Sequence, residues 1–201
     1  GLPFIKMEFV EGNSLSRWLQ EAPDQLMPWR LASELTRQLA EALTYAHETV
    51  KIVHRDIKPG NLLLAGATVV KLSDFGLAQS LRGAAAHERG LPGTGTLWYA
   101  SPQQLAGDPP TPADDIYSMG ATLYELLTGT PPFESTAPDT LLHQVQYVAV
   151  EPIPLRLGKL KRHNDVPTKM LNLVHRCLDK DPDCRPKTHE IVRWLPTFAQ
   201  E

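Results

Sequence analysis

The sequence predicts a mainly α fold with a small β component, on three observations. Apolar residues recur at helical spacing in two long stretches: Leu31, Leu35, Leu39, Ala42, Leu43 and Ala46, then Ile116, Met119, Gly120, Leu123, Leu126 and Leu127. Between them lie two short apolar runs, Leu62-Leu63-Leu64 and Val69-Val70-Lys71-Leu72, separated by Ala65-Gly66-Ala67, which reads as a hairpin. With 201 residues, 42% of them hydrophobic and 21% charged, the chain has enough apolar material for a core of its own.

Taken in order, Phe4 to Val10 alternates loosely and predicts a strand, broken by Glu11-Gly12-Asn13. Ser14 is placed to cap a short helix through Gln20. A longer helix is expected from Pro28, a residue suited to a first helical position, to Glu48. After the hairpin, Ser80 to Gly95 is rich in Gly and Ala without a periodic face, which predicts a mobile loop. The helix after Pro112 carries few charges, so burial on most sides is expected, with Gly129 ending it. Further helices are expected over Asp139–Val148, Pro167–Leu178 and Lys187–Phe198.

The net charge of −3 argues against a broad nucleic-acid or membrane surface. No uninterrupted apolar stretch is long enough to span a bilayer. Lys6, Glu8 and Glu11 make the start unlike a signal peptide, and the absence of an initiator Met suggests a fragment. Cys177 and Cys184 do not make a disulfide framework, and a reducing, cytoplasmic setting is expected, with any membrane anchor lying outside the chain. Cys177 shares an apolar face with Met170, Val174 and Leu178 and is expected in the core.

The run His54-Arg55-Asp56-Ile57-Lys58-Pro59-Gly60-Asn61 resembles the catalytic loop of the protein kinases, H-R-D-x-K-x-x-N, and Asp74-Phe75-Gly76 follows at the spacing of that family's D-F-G. Asp, Pro, Gly and Asn alone would also make an ordinary turn; the two motifs in order are far more specific. The resemblance implies that Asp56 accepts the proton of a substrate hydroxyl and that Lys58 lies beside the γ-phosphate. It also implies that Asn61 and Asp74 hold Mg²⁺ through hard oxygen ligands. Lys58 points to the Ser/Thr branch, because Tyr kinases carry Ala or Arg nearby instead. Gly95-Thr96-Leu97-Trp98-Tyr99-Ala100-Ser101-Pro102-Gln103 is similar to G-T-x-x-Y-x-(A/S)-P-E, with Thr96 expected near Asp56 and Lys58. The wording Ser-Pro-Gln-Gln is closer to bacterial Ser/Thr kinases than to most eukaryotic ones.

The same resemblance assigns Glu8 and Val10 to an adenine-contacting hinge and Leu63 to the ATP site, and gives Asp115 the task of holding the catalytic-loop backbone. His54 and Phe75 are read as packing residues. Arg55 is read as the receptor of a phosphorylated loop, with Thr94 and then Ser80 as candidate phosphosites. Asp181-Pro182-Asp183-Cys184-Arg185-Pro186 matches D-P-x-x-R-P.

Residues 1–201 are thus read as a partial kinase domain, a hinge strand plus C-terminal lobe. It would use ATP and Mg²⁺ on protein Ser/Thr hydroxyls, with no nucleic acid and no membrane segment among its partners.

Two departures stand out. Gln103 replaces the acid that pairs with the arginine at Arg185, and loss of a buried ion pair costs about 3 to 5 kcal/mol at worst, which predicts looser anchoring of the activation segment. The family's Gly-rich loop, third-strand lysine and αC acid lie upstream of the hinge and are not in this sequence, so little activity is expected of the chain alone. A pseudokinase or scaffold is the alternative. A small-molecule kinase of the aminoglycoside phosphotransferase type shares H-x-D-x-x-x-x-N, but not Arg55, Lys58 and Asp115 together.

Overall fold

A computed structural model describes residues 6–75 and 94–195, with only the backbone of residues 94–96. The chain forms β1 (Gly12–Ser14), α1 (Leu15–Glu21), α2 (Trp29–Thr44), β2 (Leu62–Ala65) and β3 (Val69–Leu72). After a 3₁₀ turn at Thr94–Tyr99 come α3 (Pro102–Ala106), α4 (Pro112–Thr128), α5 (Pro138–Tyr147), α6 (Ile153–Leu160), α7 (Thr168–Cys177) and α8 (Thr188–Trp194). The fold is mainly helical with one three-stranded antiparallel sheet, order β1-β2-β3.

The expected hairpin forms in register Leu62↔Leu72 to Ala65↔Val69, and Gly66 turns it at φ 63°. The expected first strand does not form among the described residues. Lys6 to Val10 has no partner ladder and leaves Phe9 88% exposed, whereas Gly12–Ser14, which takes in Gly12 and Asn13 of the expected break and the expected cap Ser14, pairs with β2. Pairing partners, which alternation does not reveal, decide this. Gly12 approaches so closely that a Cβ would lie 1.9 Å from the Leu64 carbonyl oxygen, at a φ of 153° open only to glycine.

Ser14 caps α1 by accepting the Arg17 amide at 3.3 Å. Pro28 sits one position earlier than expected, as the residue before the helix. The α2 stripe is rotated from its predicted line: Ala32, Leu35, Leu39, Ala40 and Leu43 are buried, but Ala42 is exposed. From Tyr45 to Val50 the chain winds as a π turn that Lys51 ends in the left-handed region, φ 62°. Two helices escape periodicity. α3 is only five residues, capped by Ser101, and α6 begins in the Pro-rich run Pro152-Ile153-Pro154, where Pro is tolerated because first-turn amides have no intrahelical acceptor.

α4 is the central element, buried along nearly its whole length from Asp114 to Thr128 and ended by Gly129 in the left-handed region. It packs on α2 and on α7, whose Met170, Val174 and Cys177 join Leu178 in the core as expected. Burial pushes the Cys177 thiol up to about 12, as suits a packing residue. At the α4–α7 crossing Gly120 lies so close that a Cβ would stand 2.6 Å from Cys177 Cβ and 3.3 Å from Leu178 Cγ. Gly120→Ala is therefore expected to destabilise the fold by about 1–3 kcal/mol through overpacking, read as a lowered urea midpoint at unchanged slope.

Candidate active site

The first turn of α4 organises the loop that follows the π turn. Asp115, with no exposed surface, accepts the backbone amides of His54 (2.8 Å) and Arg55 (2.7 Å). His47 Nε2 stands 2.7 Å from the same carboxylate. The loop-holding role expected of Asp115 is thus visible as two amide bonds. The third partner, His47, was not foreseen, because its contact spans 68 residues and depends on the π turn. These bonds hold Arg55 in the left-handed region, φ 69°. A non-glycine residue there costs about 1–3 kcal/mol and persists only when its surroundings over-determine it.

Arg55 presents the next residue, Asp56. Lys58 Nζ lies 3.1 and 3.0 Å from the two Asp56 carboxylate oxygens. Asn61 Nδ2 donates to the Asp56 carbonyl (2.7 Å) and carboxylate (3.0 Å), while the Asn61 amide closes a 3₁₀ turn onto Lys58 O (3.0 Å). The three polar residues of the motif form one cluster. It is only partly exposed, with Asp56 and Lys58 side chains at 15% and 22%. A carboxylate so held keeps one orientation, as proton acceptance demands.

His54 is 1% exposed. Its Nδ1 accepts the Asp56 amide at 3.2 Å, and its Nε2 donates to the Ser73 carbonyl at 2.9 Å. With both nitrogens engaged and Phe75 edge-on at a centroid distance of 4.6 Å, His54 is the packing residue expected. Phe75 itself is exposed, at 38%, so it packs on His54 from the surface and is not part of the core. Ser73 also donates its amide to Asn61 O at 3.0 Å, which ties the catalytic-loop segment to Asp74.

Asp74 is left-handed (φ 62°), exposed, and accepts only the Ser73 hydroxyl at 3.3 Å among the bonds of the described residues. Glu8, Val10, Leu63, Leu72 and Asp74 line one open cleft of about 370 Å³. Glu8 reaches across to Lys71 Nζ at 2.5 Å. The residues expected at an ATP site are brought together here, apart from Lys58 and Asn61, which stand on the adjoining loop. For Mg²⁺ the donor set fits. Asn61 spends its amide nitrogen on Asp56, leaving the hard amide oxygen, and Asp74 offers an exposed carboxylate. Among the described residues no three His, Cys, Asp or Glu form a metal cage; an ion of this kind keeps waters and phosphate oxygens as its remaining ligands.

Ser80 and Gly76 lie outside the described residues, as do the side chains of Thr94 and Thr96. Beyond them, Tyr99 donates to Glu125 at 2.5 Å, and burial holds the Glu125 carboxyl above its usual range. Gln103 meets Arg185 as the neutral acceptor expected, Nη2 to Oε1 at 2.7 Å. The guanidinium gains more than the lost acid suggests, with the carbonyls of Asp179 (2.8 Å), Ala113 (3.0 Å) and Lys180 (3.2 Å) as further acceptors. Gln103 Nε2 donates to Lys180 O at 2.9 Å, so the amide clamps this corner in both directions.

Lys180 stands here over the Phe133 ring at 4.4 Å, donating to Val145 O. Burial, then the neighbouring Arg185 charge, lower its pKa from 10.5 to about 8. A base depressed in the folded state binds fewer protons there than in the unfolded chain, so the penalty is full below pH 8 and relaxes as pH rises toward 10.5. Stability of the wild type relative to Lys180→Met is therefore expected to rise between pH 8 and 10.5, read by urea unfolding of both at several pH values.

The chain matches the family described as Protein kinase domain over residues 3–194. It is 34% identical over 192 residues to the serine/threonine-protein kinase PknB of Mycobacterium leprae (strain TN), covering 96% of this chain and 29% of that protein. To the serine/threonine-protein kinase PkaA of Streptomyces coelicolor it is 36% identical over 203 residues, 98% of this chain and 34% of that protein. The chain thus spans about a third of the length of these curated relatives. Among solved structures, Rad53 residues 1–466 in complex with AMP-PNP superposes with a TM-score of 0.74 at 26% identity, covering 94% of this chain and 46% of that one. The Rad53 kinase domain with SCD2 and AMPPNP gives 0.73 at 23%, covering 95% and 68%. Loop, cleft and helical scaffold agree with this likeness: the chain belongs to the protein kinase domain family, with bacterial-type Ser/Thr kinases among its relatives.

Proposed function

We propose that this chain is the hinge and C-terminal lobe of a Ser/Thr protein kinase that transfers the γ-phosphoryl group of ATP to protein Ser and Thr hydroxyls. One observation carries the reading: the Asp56 carboxylate is held by both Lys58 and Asn61 on a backbone pinned by Asp115. Asp56 orients the attacking hydroxyl and takes its proton. Lys58 sets a positive charge beside the transferring group, where preorganised charge does most of the work of phosphoryl transfer. Glu8, Val10 and Leu63 border the adenine side of the cleft, and Asn61 and Asp74 hold Mg²⁺ through oxygen. The nucleotide would bring the phosphoryl group, and Mg²⁺ held by Asn61 and Asp74 would supply positive charge against it.

Arg55 is the receptor of a phosphorylated loop, for which Thr94 and then Ser80 are the candidate phosphosites. The chain spans about a third of the length of its curated relatives, and the activity is assigned to the full-length protein in a cytoplasmic setting, with little of it in this chain alone. No helix among the described residues is long and apolar enough to cross a membrane. The test is incubation of the full-length protein with Mg-ATP and a generic protein substrate, followed by phosphoamino-acid analysis. Phosphoserine or phosphothreonine is expected; phosphotyrosine alone, or no label, contradicts the reading.

A further inference from the structure

We propose that Gln104, to which the sequence assigns no role, is a positioning residue for Asp56: its amide fixes the peptide from which the catalytic base hangs. The inference rests on the kinase reading of the site.

The peptide joining Arg55 to Asp56 is gripped at both ends. Its carbonyl accepts Gln104 Nε2 at 2.9 Å, and its amide donates to His54 Nδ1 at 3.2 Å. Without the first bond, only one end of that peptide is tied, and it follows a residue at φ 69°, a conformation that L residues leave readily.

Gln104 is itself rigidly presented. Ser101 Oγ accepts the Gln104 amide at 2.9 Å and donates to Asp114 Oδ1 at 2.5 Å. Asp114 and Asp115 are successive residues in the first turn of α4. One anchors α3, the other anchors the catalytic loop, and Gln104 bridges the two anchored segments. The anchoring also has a direction. Asp115 grips the loop before Asp56, and Asn61 grips it after, so the hold at the peptide itself falls to His54 on its amide and to Gln104 on its carbonyl.

The residue type matters. Gln104 Oε1 is buried without a partner among the described residues, as is Arg55 Nε. A buried, unsatisfied acceptor is unfavourable, and a Met of similar length would avoid it. What the amide supplies and Met does not is the Nε2 bond to Arg55 O. Both residues border a small cavity of about 30 Å³ shared with Asp56, Tyr99 and Ser118, so rotation of the peptide has room to occur. A carboxylate displaced by about 1 Å loses up to about 10²-fold in rate.

The test uses the full-length protein with steady-state phosphotransfer kinetics for wild type, Gln104→Met, Gln104→Glu and Asp56→Asn. Gln104→Met keeps the shape and removes the donor; kcat is expected to fall about tenfold with the KM for ATP unchanged. Gln104→Glu sets an acceptor against the Arg55 carbonyl and is expected to fall further. Wild-type kcat in both variants overturns the proposal. So does a loss that vanishes when rates are normalised to the folded fraction from circular dichroism, or one shared equally by KM. If wild type and Asp56→Asn are equally active, the kinase reading itself fails and takes this inference with it.

Discussion

Asp115→Ala is expected to remove about 3–5 kcal/mol of folding stability and phosphotransfer activity together. Hydrogen bonds to a charged group contribute about 1.5–3 kcal/mol each, and Asp115 accepts two from the loop backbone at 2.8 and 2.7 Å. The carboxylate has no exposed surface, so water does not replace it cheaply. Its loss strands the His54 and Arg55 amides, removes the partner of His47, and frees Arg55 from its left-handed conformation. Urea unfolding followed by circular dichroism reads the stability, and the same preparation assayed below its midpoint reads the activity. Asp115→Asn keeps one acceptor oxygen and is expected to fall between.

Asp56→Asn is expected to behave in the opposite way, with kcat lower by about 10²–10⁴-fold and folding nearly unchanged. At tenfold per 1.36 kcal/mol this is about 3–5 kcal/mol of barrier. The amide keeps an acceptor for Lys58 and Asn61, so the cluster's shape survives, but it takes no proton. Because the proposed role of Asp56 is toward the substrate hydroxyl and not the nucleotide, the KM for ATP is expected to hold. The pair of variants separates the two layers of the site: one removes the scaffold under the loop, the other the chemistry on top of it.

Much of this was legible in the residues themselves. The helices over Pro112–Thr128 and Thr168–Cys177 follow from apolar spacing, and Gly129 from the need for a left-handed cap. The catalytic-loop motif put Asp56, Lys58 and Asn61 within eight residues, so their meeting needed only a tight turn, which Pro59-Gly60 supplies. What escaped was decided by long-range partners. Whether Lys6 to Val10 or Gly12–Ser14 becomes a strand depends on what lies beside it. His47, Gln104 and Lys180 act through contacts 35 to 68 residues away. The Gln103–Arg185 contact shows the limit in another way: the missing acid was plain, but the three backbone carbonyls that also serve Arg185 were not.

The most direct test of the account is transfer of label from γ-labelled Mg-ATP to protein by the full-length protein, wild type beside Asp56→Asn at matched folded concentration. The account predicts labelled Ser or Thr with wild type and a rate at least about 10²-fold lower with the variant. Equal labelling by both would contradict it.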